Sequence, residues 1–128
     1  MAKLTRGKTV LVVDDDALTR EAYAEFLQDC GYDVVEAAHG GEAILHVYRH
    51  RPALVLLDIS MPVLDGVETA ESLRERIPAS ELRILGVTGT ATGPRRERMV
   101  QLCDDVLVKP CSPEVIASRI GTLIGLAA

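Results

Sequence analysis

Four apolar runs of this 128-residue chain each end in side chains that can take part in phosphoryl or metal chemistry. In chain order these side chains are Asp14 with Asp15, Asp58, Thr88 and Lys109. A carboxylate can bind a hard cation or attack a phosphorus atom, while an ammonium or hydroxyl group can bind phosphoryl oxygens. Such a set becomes a site only if the fold brings its members together.

The apolar runs themselves predict strands. The runs Thr9 to Val13 and Ala53 to Leu57 are continuous and do not alternate with polar residues. This pattern is typical of strands buried on both faces of a parallel sheet. Three further strands are predicted at Asp33 to Ala37, Leu82 to Val87 and Asp105 to Val108.

Apolar residues at helical spacing lie between the strands. The predicted helix starts are Asp16 as N-cap, Gly40-Gly41, Asp65 as N-cap, Pro94, and Ser112 as N-cap before Pro113. The predicted ends are Gly31, Pro52, Pro78 with Ile77 still helical, and about Leu102. Five strands alternating with five helices predict an α/β fold, a doubly wound parallel sheet with right-handed crossovers.

A parallel sheet places the carboxyl ends of all its strands on one edge, where open α/β sheets bind ligands. We therefore expect the carboxylates on the first and third strands to lie close together and to raise one another's pKa values. Lys109 alone cannot neutralise three negative charges, so we expect a divalent cation, Mg²⁺. With Mg²⁺ to bind a phosphoryl oxygen, Asp58 becomes a nucleophile that can form an acyl phosphate, contacted by Thr88 and Lys109.

Composition limits the other possibilities. The length predicts a single domain over residues 1–128, with a core from about 8 to 126 and a solvated tail at 1–7. A formal net charge of -5 disfavours nonspecific nucleic-acid binding. Three scattered cysteines without a Cys-x-x-Cys pair indicate reduced thiols, and the first apolar run is too short for a signal peptide or a membrane span. We expect a cytoplasmic protein.

Four motifs give the chain a family resemblance. They are Val12-Val13-Asp14-Asp15, the stretch Asp58-Ile59-Ser60-Met61-Pro62-Val63-Leu64-Asp65-Gly66, Val87-Thr88-Gly89, and Lys109-Pro110. In this order, each at a predicted strand end, they resemble the receiver domains of two-component response regulators. The resemblance implies a flavodoxin-like, chemotaxis-regulator-like fold with strand order 2-1-3-4-5.

The resemblance also implies how the site works. Asp58 would accept a phosphoryl group from the phosphohistidine of a sensor histidine kinase or a phosphotransfer protein. Mg²⁺ would be coordinated by Asp15, Asp58 and the backbone carbonyl of Ser60, with Asp14 acting partly through water. Thr88 and Lys109 would contact the phosphoryl group, and the Lys109-Pro110 bond would be cis.

The same resemblance implies a switch that is not an enzyme toward another substrate, although it assists its own phosphorylation and dephosphorylation. Its partners would be the kinase and a downstream protein, without direct contact to nucleic acid or membrane. It would be a monomer or a weak, phosphorylation-dependent dimer. Movement of Thr88 and its loop would reshape the surface formed by the fourth helix, fifth strand and fifth helix.

Two positions depart from the family pattern. Receiver domains usually carry an aromatic switch residue three positions before the lysine, where this chain has Val106. The residue after Lys-Pro is often Phe and is Cys111 here. These differences leave the phosphorylation chemistry intact and leave open how the phosphorylated state is read.

Other readings of the acidic residues remain open. A phosphatase of the haloacid dehalogenase type would use Asp14 as nucleophile and Asp16 as acid/base, although Leu18 does not fit that motif. A docking module that works without phosphorylation would keep only the fold. Local interpretations predict Asp16 and Asp65 as helix caps, Cys111 as a small apolar residue, and His39, His46 and His50 as solvated residues. Arg95, Arg96 and Arg98 are predicted on the exposed side of the fourth helix, with a docking role left open.

Overall fold

Five strands alternate with five helices along the chain. The computed structural model describes residues 8–59, 65–89 and 92–125. The strands are β1 (Thr9–Val13), β2 (Asp33–Ala37), β3 (Leu54–Asp58), β4 (Arg83–Thr88) and β5 (Asp105–Val108). The helices are α1 (Ala17–Asp29), α2 (Gly40–His50), α3 (Gly66–Arg74), α4 (Pro94–Leu102) and α5 (Pro113–Ile124).

All strand pairings within the sheet are parallel, and the strand order is β2-β1-β3-β4-β5. Val13 pairs with Leu57 at the ends of β1 and β3, and Thr88 pairs with Val108 at the ends of β4 and β5. The predicted doubly wound fold is therefore confirmed. The register aligns the carboxyl ends of the three central strands with that of β5.

Two apolar layers hold the helices on the sheet. On one face, β1, β3 and β4 pack against α2, α3 and α4 through a cluster that includes Leu11, Leu57, Leu73 and Met99. The opposite face packs against α1 and α5, with Leu27, Ile116 and Ile120 at its centre. Because both faces are covered, the central strands are continuous apolar runs, as the sequence predicts.

β3 ends at Asp58 as predicted but begins one residue after Ala53, and β4 lies one residue further along than predicted. β3 ends at Asp58 and β4 ends at Thr88, so both side chains belong to the last residue of a strand and are held by its register. Asp58 and Thr88 are buried, with 5% and 2% of their surface exposed. The sheet thus fixes the positions of both side chains.

The prediction that α3 still includes Ile77 is wrong. The helix ends at Arg74, and in the turn that follows it the amides of Arg76 and Ile77 both donate to the carbonyl of Leu73. Pro78 disfavours helical backbone angles at the residue before it, which explains why the helix stops early. Ile77 still packs against the core from this turn.

Within the described residues, no helix is long and apolar enough to cross a membrane. The three cysteines, all of them in that part of the chain, form no disulfide. The tail at residues 1–7, Leu126, and the central part of the β3–α3 loop, which contains Ser60, lie outside the described residues.

Candidate functional site

Three carboxylates meet at the carboxyl edge of the sheet. Asp14 and Asp15 directly follow β1, and Asp58 ends the neighbouring strand β3. Each offers an oxygen atom, and these three oxygens lie within 4.8 Å of one another. Asp14 and Asp58 are buried while Asp15 is exposed, so the group is open to solvent on one side. An all-oxygen set with access to water fits a hard cation such as Mg²⁺.

Lys109 supplies positive charge to this group. Its Nζ atom lies 3.5 Å from Oδ1 of Asp58 and 3.9 Å from Oδ2 of Asp14. Partial burial acts to lower the pKa of Lys109, but attraction to Asp58 and Asp14 outweighs burial and raises it. The pKa of Asp14 is raised, because desolvation by burial outweighs the hydrogen bond from Asp16 and the attraction to Lys109. The Lys109 ammonium therefore does not offset the cost of burying the Asp14 carboxylate.

The backbone and side chain of Asp14 are held from three directions. Its amide donates to the carbonyl of Ala37 at 3.2 Å, and its Oδ1 accepts from the amide of Asp16 at 2.9 Å. The guanidinium of Arg20 in α1 donates to the Asp14 carbonyl at 2.9 Å and also binds Glu36 of β2. Arg20 was not predicted from the sequence, because no local pattern links it to the strand end.

Backbone contacts link Thr88 to Lys109. The Lys109 amide donates to the Thr88 carbonyl at 2.7 Å, and the Lys109-Pro110 peptide bond is cis, as the resemblance implied. The hydroxyl of Tyr23 in α1 donates to the carbonyl of Cys111 at 3.2 Å. These contacts join the ends of β4 and β5 to the helix that follows Asp15.

The start of α3 packs directly against the end of β3. The Gly66 amide donates to the Ile59 carbonyl at 2.9 Å. A Cβ atom on Gly66 would lie 2.3 Å from the Asp58 carbonyl oxygen and 2.5 Å from Cα of Ile59. The sequence places Asp65-Gly66 in a turn, but only the structure shows that Gly66 is required by close backbone approach.

Asp65 has two roles, one of which was not predicted. Its side chain accepts from the Glu68 amide at 2.9 Å, which confirms it as the N-cap of α3. It also forms an ion pair with Arg95 of α4, with Nη2 and Oδ2 2.7 Å apart. Burial acts to raise the pKa of Asp65, but the Glu68 amide and Arg95 together lower it.

Several other candidates have structural roles. Asp16 is confirmed as the N-cap of α1 and accepts from the Thr19 amide. His39 caps α2 by accepting a hydrogen bond from the Glu42 amide at Nδ1, a role that was not predicted from the sequence. The rings of His46 and His50 lie 5.4 Å apart, and neither belongs to a metal-binding group of described side chains.

The two positions that depart from the family pattern lie in the apolar layers. Val106 packs beside the cluster under α4, and Cys111 packs beside the cluster under α5. The Cys111 thiol donates to the carbonyl of Val108 at 2.9 Å. Its half-buried position agrees with a small apolar role.

Known proteins resemble this chain over most of its length. The family model of the response regulator receiver domain matches residues 10–121, and the chain therefore belongs to that family. A probable transcriptional regulator, ycf27 of Porphyridium aerugineum, is 37% identical over 116 residues, covering 90% of this chain and 47% of the relative. The chain spans about half the length of the curated relatives it matches.

Solved structures share the fold. A CheY-like receiver domain protein from Methanospirillum hungatei superposes with a TM-score of 0.85 at 27% identity, covering 91% of this chain and 93% of that chain. The response regulator TrrA from Thermotoga maritima, solved in complex with Mg²⁺ and BeF, gives a TM-score of 0.81 at 29% identity, covering 91% and 98%. The predicted strand order and fold are those of the family.

Proposed function

We propose that this receiver domain is a phosphorylation switch in which Asp58 accepts a phosphoryl group from the phosphohistidine of a sensor histidine kinase or a phosphotransfer protein. One observation carries the proposal: Asp58 ends a central strand beside two other carboxylates and 3.5 Å from the Lys109 ammonium. The response regulator TrrA, solved with Mg²⁺ and BeF, supports the same chemistry.

The transfer requires one bond to form and one to break. A carboxylate oxygen of Asp58 attacks phosphorus, the P–N bond breaks, and its electron pair returns to the imidazole nitrogen. Lys109 balances the charge on the phosphoryl oxygens, and Thr88 at the end of β4 donates a hydrogen bond to them. The resulting acyl phosphate carries the signal until water hydrolyses it.

A cation completes the charge balance. Asp14, Asp15 and Asp58 would hold Mg²⁺, together with the backbone carbonyl of Ser60, which lies outside the described residues. When bound, Mg²⁺ supplies positive charge to the phosphoryl oxygens and lowers the repulsion between them and the carboxylates. The exposed position of Asp15 leaves room for water and for the incoming phosphoryl group.

Membership of the receiver-domain family supports a proposal for the location, the output and the oligomeric state of the protein. We propose a cytoplasmic protein whose output is the binding of a downstream protein, without direct contact to nucleic acid or membrane. It acts as a monomer or a weak dimer, and it catalyses no reaction beyond its own phosphorylation and dephosphorylation. The haloacid dehalogenase alternative is not favoured, because Asp16, its acid/base, is exposed and engaged in capping α1.

Acetyl phosphate tests the proposal directly. With Mg²⁺, the wild-type chain should gain the mass of one phosphoryl group, and Asp58→Asn should gain none. Asp16→Asn is the matched control, because asparagine also caps a helix well and the phosphoacceptor remains. Absence of a mass gain in the wild type would favour a docking module that works without phosphorylation.

A further inference from the structure

The space beneath α4 holds small and flexible side chains where most receiver domains have an aromatic switch. Met99 of α4 is fully buried and lies over Gly86 of β4. A Cβ atom on Gly86 would lie 2.9 Å from Cε of Met99, 3.3 Å from Sγ of Cys103 and 3.6 Å from Cγ2 of Val106. None of these three side chains is aromatic, so they do not supply the usual aromatic switch.

Arg95, in the first turn of α4, contacts residues close to Asp58. Its Nη2 atom donates to the Ile59 carbonyl at 3.2 Å and pairs with Asp65 at 2.7 Å. Ile59 directly follows Asp58, and Asp65 caps α3. One guanidinium group on α4 therefore binds both ends of the loop that follows Asp58.

We propose that Arg95 is a positioning residue that couples the occupancy of Asp58 to α4, in place of an aromatic switch. The inference rests on the proposed function of Asp58. A phosphoryl group that draws Thr88 inward would move the end of β4, and Arg95 is the second residue of α4, the next helix along the chain. We expect its contacts with Ile59 and Asp65 to lengthen or re-form in response.

The ion pair between Arg95 and Asp65 is partly exposed to solvent. Arg95 is half exposed and Asp65 is mostly buried, with 55% and 16% of their side chains accessible. A partly screened ion pair is weak, so it can exchange between two arrangements. Because coupling is reciprocal, a partner that holds α4 should also change the affinity of the site for a reversible phosphoryl mimic such as beryllofluoride.

Arg98 provides an internal comparison. It also joins α4 to α3, through an ion pair with Glu71 at 3.0 Å, and its side chain is similarly exposed at 46%. Among the described residues, the Arg98 side chain donates hydrogen bonds to Glu71 and Gln101, and neither lies in the loop after Asp58. A general role in tethering the two helices would be shared by both arginines, whereas coupling to Asp58 belongs to Arg95.

Hydrogen–deuterium exchange on the full chain tests the coupling, with Mg²⁺ and beryllofluoride as the phosphoryl mimic. In the wild type, the mimic should change the exchange rates of the α4 amides. Arg95→Gln should abolish most of that change, because the contact that links α4 to the residues beside Asp58 is lost. Asp65→Asn should do the same, since asparagine keeps the cap but loses the charge. Arg98→Gln should leave the response unchanged.

Binding of beryllofluoride, measured by calorimetry in each variant, separates the two proposals. If the wild type binds no beryllofluoride, the proposed function fails and the coupling fails with it. If the wild type and Arg95→Gln both bind the mimic and α4 responds equally, the function of Asp58 stands and the role of Arg95 is overturned. An equal loss of response in Arg98→Gln would also overturn it, because it would indicate simple tethering.

Discussion

The Nζ atom of Lys109 lies 3.5 Å from Oδ1 of Asp58, although Asp58 ends β3, Lys109 directly follows β5, and β4 lies between these two strands. The lysine side chain reaches across the end of β4, past Thr88, to the carboxylate. It also lies 3.9 Å from Asp14. The same ammonium thus reduces repulsion between two buried carboxylates and faces the position that a phosphoryl group on Asp58 would take.

Replacing Lys109 by glutamine should slow phosphorylation by acetyl phosphate by roughly tenfold or more, because one charged contact to the phosphoryl oxygens is lost. The rate of mass gain in the presence of Mg²⁺ measures the effect. Lys8→Gln is the matched control, since Lys8 lies before β1 at the opposite edge of the sheet. Equal rates in wild type and Lys109→Gln would contradict the role given to Lys109.

Mg²⁺ should stabilise the folded chain, because it binds carboxylates that the fold assembles. At about tenfold excess over its dissociation constant, the free energy of unfolding in urea should rise by about 1.4 kcal/mol. Asp15→Asn should lose most of this gain, and Asp16→Asn should keep it, since Asp16 caps α1. A gain that persists in Asp15→Asn would place the cation elsewhere.

Gly66→Ala should both destabilise the fold and slow phosphorylation. The added Cβ atom would meet backbone atoms of Asp58 and Ile59 at 2.3 and 2.5 Å, so the end of β3 has to move. We expect a loss of about 1–3 kcal/mol in the free energy of unfolding. Gly41→Ala is the control, because its Cβ atom would meet only the His39 ring, at 3.5 and 3.6 Å. Equal stability of wild type and Gly66→Ala would contradict the close approach.

Cys103 should make the fold sensitive to alkaline pH. Burial raises the pKa of its thiol from 9.0 to about 12, so the unfolded chain loses this proton first. The contribution to stability is complete below pH 9.0 and is lost as pH rises toward about 12, at up to about 1.4 kcal/mol per pH unit. Urea unfolding of Cys103→Ala should show a shallower fall over this range than the wild type. Equal slopes would contradict the burial of the thiol.

The sequence predicts the strands well, because buried parallel strands appear as uninterrupted apolar runs. The bounds of β1, β2, β5 and α4 agree with the prediction, and the convergence of Asp14, Asp58 and Lys109 follows from parallel strand direction alone. The helix caps Asp16 and Asp65 were also predicted, because a cap depends on residues that are close together in the sequence.

The individual side-chain contacts that helices make with other elements could not be predicted from the sequence. Arg20 and Arg95 each donate to a backbone carbonyl at the site from another element. Neither contact produces a recognisable pattern in the sequence. Arg74 at the end of α3 likewise binds Asp104, which lies between α4 and β5, at 2.8 Å. Such contacts depend on how helices are placed on the sheet, which a single sequence does not specify residue by residue.

Mapping the phosphorylated residue tests the central claim most directly. After reaction with acetyl phosphate and Mg²⁺, the acyl phosphate is reduced with borohydride, and the modified residue is located by fragmentation of the peptides. We expect modification at Asp58 and nowhere else. Modification at Asp14 would contradict it and would point instead to a phosphatase-like nucleophile on β1.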